Sequence, residues 1–279
     1  MADRTLAPLD EIIAVMRHTH GLDVSIYEET FLTKSLEKRR EAAGCGAATA
    51  YLERLTHDRA EAEALIQSLE IHHSELFRDP LAFALLEQRI LPGLVQQKHD
   101  SGRRELRVWS AGCAAGQEAY SVAILLNELS DGPERPVPFR IFATDNSETQ
   151  LALARGGVYA EAAMRNVRLG HLERWFSRQG QAYVAARGLR ERVDFSAYDL
   201  LDERGTCPPA SIFGEFDLVL CCNVLFYYRP EGRKLILEKL RRCLAPGGYL
   251  ATGEAERELL QGAGFQAVAL PAAVFQRGR

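Results

Sequence analysis

Apolar residues recur at helical spacing in three stretches of the first hundred residues: Leu9 to Met16, Phe31 to Leu36 and Ala62 to Leu69. That interval lines one face of a helix. Gly21, Gly44 and Gly46 punctuate the stretches, and a longer helix from about Pro80 to Gln97 leads into the polar run Lys98 to Arg104. A small all-helical domain is therefore expected over residues 1–80. From Leu106 onward short apolar or β-branched runs alternate with helical stretches, the texture of a parallel sheet with crossover helices. Strands are expected at Leu106 to Ser110, Phe139 to Thr144, Val193 to Ser196, Phe216 to Cys221, Gly248 to Thr252, Ala267 to Leu270 and Val274 to Gln276. The last two form an antiparallel hairpin around Pro271, which makes the sheet seven-stranded and mixed. Residues 81–279 thus read as an α/β domain with a small subdomain inserted near 160–192, where Ala182 to Ala185 is expected to pair with Gly188 to Val193.

Composition narrows the class. At 279 residues, 47% hydrophobic and 26% charged, the chain has the balance of a globular protein rather than a disordered or fibrous one. Its first ten residues lack the basic start and apolar run of a signal peptide, and no stretch reaches the roughly 18 apolar residues that span a bilayer, so a cytoplasmic location is expected. Six cysteines without CxxC spacing indicate neither a disulfide framework nor a metal site. A net charge of -4 offers no general attraction to nucleic acid or anionic lipid.

The chemistry concentrates after the first strand. Ser110-Ala111-Gly112-Cys113-Ala114-Ala115-Gly116 is a run of small residues between strand and helix, the place where open α/β sheets bind cofactors. It has no GxGxxG and no GKS or GKT to hold phosphates, and Glu118 would repel a pyrophosphate. A cofactor with a positively charged end fits better: S-adenosylmethionine carries an ammonium, a sulfonium and a ribose diol. The second strand ends at Asp145, which suits either the two ribose hydroxyls or a helix N-cap before Glu148.

Several segments, taken in order, resemble the chemoreceptor glutamate methyltransferases of the CheR family over nearly the whole chain. His72-His73-Ser74-Glu75-Leu76-Phe77-Arg78-Asp79 resembles that family's N-x-[ST]-x-F-F-R-[DE] motif. Arg107-Val108-Trp109-Ser110-Ala111, with Gly116-Gln117-Glu118-Ala119-Tyr120-Ser121, resembles RVWSA…GEEPYS. Phe216 to Tyr228 resembles FD-x-I-x-CRNVLIYF, and Leu244 to Leu250 the L-x-PGGYL turn. The resemblance implies a Rossmann-like S-adenosylmethionine methyltransferase domain behind an all-helical one. It implies that His72, Ser74 and Arg78 lie at the methionine end of the cofactor, Glu118 at its ammonium, Asp145 at its ribose, Asp199 and Leu200 beside the adenine, and Cys222 and Asn223 along the pocket. Tyr227 would face the methyl group, and S-adenosylhomocysteine would be the product. His72 replaces Asn, Ala119 Pro, Asp199 Asn and Cys222 Arg of the family pattern, and Glu254-Ala255-Glu256 stands where H-S-E is usual.

A glutamate nucleophile, with an ordinary pKa of about 4.3, is already ionised at neutral pH, so catalysis is mainly positioning. Arg78 would orient the carboxylate and Tyr227 the methyl trajectory; a structural salt bridge and a core aromatic are the bland alternatives. Lys34, Lys38, Arg39 and Arg40 cluster on one helix in an otherwise acidic region, either a solvated face or a docking surface for acidic receptor helices. The short Arg178 to Val193 stretch leaves little room to grip a tethering peptide, so a monomer recognising the cytoplasmic methylation helices directly is expected. A methyltransferase of another substrate class, or a non-catalytic cofactor-binding module, would share most of these features.

Overall fold

The computed structural model describes residues 9–69, 74–102, 105–130, 137–202, 205, 207–211 and 214–278. The chain divides into two compact units, Met1–Ile71 with Phe226–Arg233, and His72–Leu225 with Lys234–Arg279.

The first unit contains α1 (Leu9–His20), α2 (Glu29–Ala42), α3 (Ala48–His57) and α4 (Arg59–Leu69). Ile12, Met16, Leu32, Leu36, Tyr51, Leu55, Ala62, Leu65 and Leu69 meet in its core, so the three periodic stretches each supply a buried stripe. The segment Phe226–Arg233 joins this unit despite lying far away in sequence. Tyr228 stacks on Tyr27 at 5.5 Å, Glu28 N–H donates to Tyr227 O at 2.8 Å, and Arg229 N–H donates to Ile26 O at 2.8 Å. Among the described residues of this unit Glu61 is a buried charge: it pairs with the Arg39 guanidinium, 2.7 Å from Nε, and accepts from Arg39 Nη2 at 2.9 Å and from the Tyr51 hydroxyl at 3.1 Å.

The second unit begins with residues that precede the boundary expected at 80. Helix α5 (Pro80–Leu85) runs through a π-turn at Leu86–Ile90 into α6 (Leu91–Ser101). A seven-stranded sheet follows, in the order β6-β2-β1-β7-β8-β10-β9. Its members are β1 (Leu106–Ala111), β2 (Phe139–Asp145), β6 (Val193–Ala197), β7 (Phe216–Cys221), β8 (Leu244–Thr252), β9 (Phe265–Ala267) and β10 (Val274–Arg277). β1, β2, β6, β7 and β8 pair in parallel, and β10 is antiparallel to both its neighbours. β7 is buried at every position, as a central strand covered on both faces must be. Helix α7 (Gln117–Ser130) packs Tyr120, Val122, Ile124 and Leu126 into the core beside Val108, Ile141 and Leu218. On the other face Trp109, Phe142 and Phe216 form an aromatic cluster. Between β1 and β7 the order of connection reverses, and the carboxyl ends of the strands there open the crevice in which such sheets bind ligands.

Two expectations need correction. Ala182–Ala185 (β5) pairs not with 188–193 but with β4 (Phe176–Gln179) and β3 (Val158–Ala160), in a three-stranded antiparallel sheet of order β3-β5-β4. Arg187–Arg190 is instead a single helical turn, α10, after α8 (Glu148–Gly156) and α9 (Leu169–Trp175). The strand expected from Ala267 lies two residues earlier, at Phe265–Ala267, because Leu270-Pro271 belongs to the turn before β10.

Candidate active site

The loop after β1 is held by its neighbour strand. Gly112 and Cys113 N–H donate to Thr144 O at 2.8 and 2.9 Å, and Ala114 N–H donates to Asp145 Oδ2 at 2.8 Å. Gly112 has φ 72°, and a β-carbon there would lie 2.8 Å from Val224 Cγ2, so a residue without one is required. Asp145 Oδ1 also accepts the Ser147 N–H at 3.0 Å. The N-cap of α8 is Ser147 rather than Asp145, which removes the helix-cap reading of Asp145 and leaves a carboxylate tying the two loops together at the crevice.

Glu118 stands in the first turn of α7. Its Oε1 accepts from the Ser110 hydroxyl at 2.7 Å, and the Cys222 thiol is a second hydrogen-bond partner. Burial, with further repulsion from Asp79 and Glu256, pushes its carboxyl up to about 7. Burial likewise raises Asp79, whose carboxylate accepts from the Glu254 backbone, and raises Glu256 against the backbone N–H groups from which it accepts. Burial beside Glu118 also lifts the Cys222 thiol, so it stays protonated and able to donate. Glu118, Asp79 and Glu256 thus form one electronegative group, with Asp145 at the neighbouring strand tip.

The segment from Ser74 to Asp79 is fastened to this group. Gln117 Nε2 donates to Ser74 O at 3.3 Å, Leu76 N–H donates to Ala163 O at 3.2 Å, and Phe77 N–H donates to Ser121 Oγ at 2.9 Å. Phe77 adopts φ 52° and stacks on His171, which fixes the backbone from which half-buried Arg78 extends. His72 lies outside the described residues. At the far side of the crevice Leu200 is buried, whereas Asp199 is exposed and uses Oδ1 to accept the Leu201 N–H at 2.8 Å. Asn223 follows β7 with φ 61°. Tyr227 belongs to the helical unit, where its ring lies against Phe31 at 4.8 Å and Phe226 at 4.1 Å.

The four basic residues of α2 are not equivalent. Arg39 is engaged by buried Glu61, and Arg40 Nη1 donates to the carbonyls of Cys45 and Gly46 at 2.9 Å each. Lys34 and Lys38, one turn apart, are exposed.

The donor set fits a cationic, hydroxyl-bearing cofactor. Two buried acceptors at the crevice, Gln117 Oε1 and Asn223 Oδ1, have no hydrogen-bond partner among the described residues, an arrangement that costs stability unless a ligand completes it. No group of His, Cys, Asp and Glu among the described residues could hold a metal ion. The family model described as CheR methyltransferase, SAM binding domain, matches residues 72–273, and the CheR methyltransferase all-alpha domain matches residues 7–69. The chain belongs to the CheR methyltransferase family. Its sheet unit is an S-adenosylmethionine-dependent methyltransferase domain. Among its relatives, Chemotaxis protein methyltransferase 1 of Pseudomonas aeruginosa is 31% identical over 246 residues, covering 86% of each chain. The probable biofilm formation methyltransferase WspC of the same organism is 30% identical, over 96% of this chain and 61% of its own. An uncharacterized 104.1 kDa protein of Rhodobacter capsulatus is 34% identical over 90% of this chain, which spans only 25% of that protein.

Sequence reasoning passed over Glu256, Asp79, Gln117 and Ser121. The signal for Glu256 was available: an acid three residues after Gly253 has capping-box spacing.

Proposed function

We propose that this chain methylates glutamate side chains on the cytoplasmic helices of chemoreceptors, giving methyl esters. The observation that carries the reading is the acid group of half-buried Glu118 and Asp79 and buried Glu256 beside Asp145, with Arg78 adjoining it in sequence. Negative charge at the crevice suits the ammonium and sulfonium of the cofactor, and the guanidinium suits an incoming carboxylate.

When bound, S-adenosylmethionine supplies an electrophilic methyl group on a sulfonium. Glu118 holds the ammonium and Asp145 the ribose hydroxyls; Ser74 and Gln117 border the methionine end, and Leu200 and Asn223 border the adenine side. Asp199 offers the adenine one oxygen at most, because the other caps its own turn. Arg78 orients the glutamate carboxylate, which needs no base because it is already ionised. On α2, Lys34 and Lys38 attract the acidic receptor helix, while Arg39 and Arg40 maintain the fold of the helical unit. Among the described residues no helix is long and apolar enough to cross a membrane.

The test is incubation of the full chain with radiolabelled cofactor and receptor cytoplasmic fragments from the same genome. Label released as methanol by mild base is the expected result. Base-stable label would move the substrate to another class, and cofactor binding without transfer would point to a non-catalytic module.

A further inference from the structure

One carboxylate near the crevice neither faces solvent nor pairs with a cation. Glu256 is fully buried, at 0% exposure, in the short turn Glu254–Leu260 after β8. Its Oε2 accepts the N–H groups of Asn223 at 2.7 Å and Gly253 at 2.8 Å, and its Oε1 accepts the N–H of Leu225 at 2.6 Å. Glu256 N–H returns a bond to Gly253 O at 2.9 Å. The carboxylate therefore joins the turn after β7 to the turn after β8, two loops that the sheet alone leaves independent beyond their last paired residues, Cys221 and Thr252.

The clamp acts on Asn223. That residue has φ 61°, a left-handed conformation that costs a side-chain-bearing residue free energy unless the surroundings enforce it. Its side-chain amide lies against Gly253, where a β-carbon would come within 2.5 Å of Nδ2, and its Oδ1 is a buried acceptor without a partner. An acceptor kept waiting in this way serves a ligand that brings a donor.

We propose that Glu256 is a positioning residue for the cofactor: its buried carboxylate, itself anchored by the Gly253 N–H, locks the turn after β7 through the backbone N–H groups of Asn223 and Leu225 and so holds Asn223 Oδ1 ready to accept from the bound molecule. The proposal rests on the cofactor site described above and assigns Glu256 no contact with the reacting atoms. A neutral amide at this position can offer only one acceptor oxygen where two are used, and its NH2 would face backbone donors.

The experiment is titration calorimetry of the full chain with S-adenosylhomocysteine, for wild type, Glu256→Gln, Asn223→Ala and the double variant. Each single change should weaken binding at least tenfold, and the double variant should bind within threefold of the weaker single one, because both remove the same acceptor. Leu260→Ala, which opens a cavity in the same turn at a residue 2% exposed, should lower the melting temperature yet leave the dissociation constant within threefold. If Glu256→Gln does not fold, Gly253→Ala tests the same link by displacing the Asn223 amide without touching the carboxylate, again with at least a tenfold loss. Binding by Glu256→Gln (or by Gly253→Ala in its place) less than threefold weaker than wild type, additive losses in the double variant, or an equal loss in Leu260→Ala would each overturn the proposal while leaving the cofactor site intact. Wild type that binds no S-adenosylhomocysteine would sink both.

Discussion

Cofactor affinity should depend on pH through Glu118, and the structure sets the direction and the size. The carboxyl is raised from 4.5 to about 7 by burial first and by the charges of Asp79 and Glu256. Its other neighbours are the Ser110 hydroxyl and the Cys222 thiol, which is itself raised and remains neutral. Below about pH 4.5 Glu118 is protonated in both the folded and unfolded chain, and above about 7 it is ionised in both. Between these values only the folded chain holds the proton, so its contribution to stability falls as pH rises through the window, by at most about 3 kcal/mol. An ammonium ligand reverses the balance because it needs the ionised form. The ionised fraction rises from roughly 9% at pH 6 to roughly 91% at pH 8, so the dissociation constant should fall about tenfold over that range. Binding at pH 7 should release about half a proton. Calorimetry with S-adenosylhomocysteine in two buffers of different ionisation enthalpy measures both quantities. In Glu118→Gln the affinity should be lower and flat with pH. A wild-type dissociation constant that changes less than threefold between pH 6 and 8, or a Gln variant that keeps the full dependence, would refute the assignment of the ammonium to Glu118.

Three further outcomes are expected. Arg78→Ala should lower kcat more than tenfold while changing cofactor affinity less than threefold, and Arg78→Lys should not restore turnover, because an ammonium lacks the planar fork that matches a carboxylate; equal losses in kcat and cofactor binding would return Arg78 to a structural role. Glu61→Ala should destabilise the helical unit by about 3 kcal/mol, since it strands Arg39 and Tyr51 beside a buried vacancy, and a denaturant midpoint equal to that of wild type would contradict the burial argument. Charge reversal at Lys34 and Lys38 should slow receptor methylation and reduce its sensitivity to salt without changing thermal stability, whereas reversal at Arg39 should lower stability; removal of the receptor's last few residues should leave the rate unchanged.

These tests separate what local sequence carries from what it does not. Strands such as Leu106–Ala111 and Phe216–Cys221 were legible because a buried strand needs a short apolar run whatever its partners. The acids Glu118 and Asp145 stood out for a related reason: Asp145 ends a recognisable strand and Glu118 lies in the first turn of the helix after another, so chain order puts both at the carboxyl side of the sheet. Helix α3 was not, because only Tyr51 and Leu55 of it are buried, two positions one turn apart that set no clear period. The partner of Ala182–Ala185 was not, because a strand of four residues encodes no register and pairs with segments on both sides, one more than twenty residues upstream. The basic cluster of α2 shows the same limit in charge rather than in shape: four cations adjacent in sequence look alike, yet Arg39 is committed to an acid 22 residues away while Lys34 faces solvent.

The roles of Glu256 and Glu118 were hidden in opposite ways. Glu256 looks from sequence like an acid in a polar turn, and only the fold shows three backbone donors converging on it. Glu118 stands out in the sequence, but its raised proton affinity comes first from burial that only the fold creates, and then from Asp79 and Glu256, residues 39 positions before it and 138 after it. Both follow from one physical choice. Acids brought together out of water cost stability while the crevice contains no cation, and that cost diminishes when a positively charged ligand arrives. A site built in this way should hold its charged cofactor more tightly than the neutral-sulfur product by a margin that shrinks at high salt only slightly, because partly buried and buried charges are screened less than exposed ones. Measuring the affinity ratio of S-adenosylmethionine to S-adenosylhomocysteine at 0.05 and 0.5 M salt tests this. A ratio near one at low salt, or one that collapses at high salt, would mean that the acids are solvated and that burial does not set the preference.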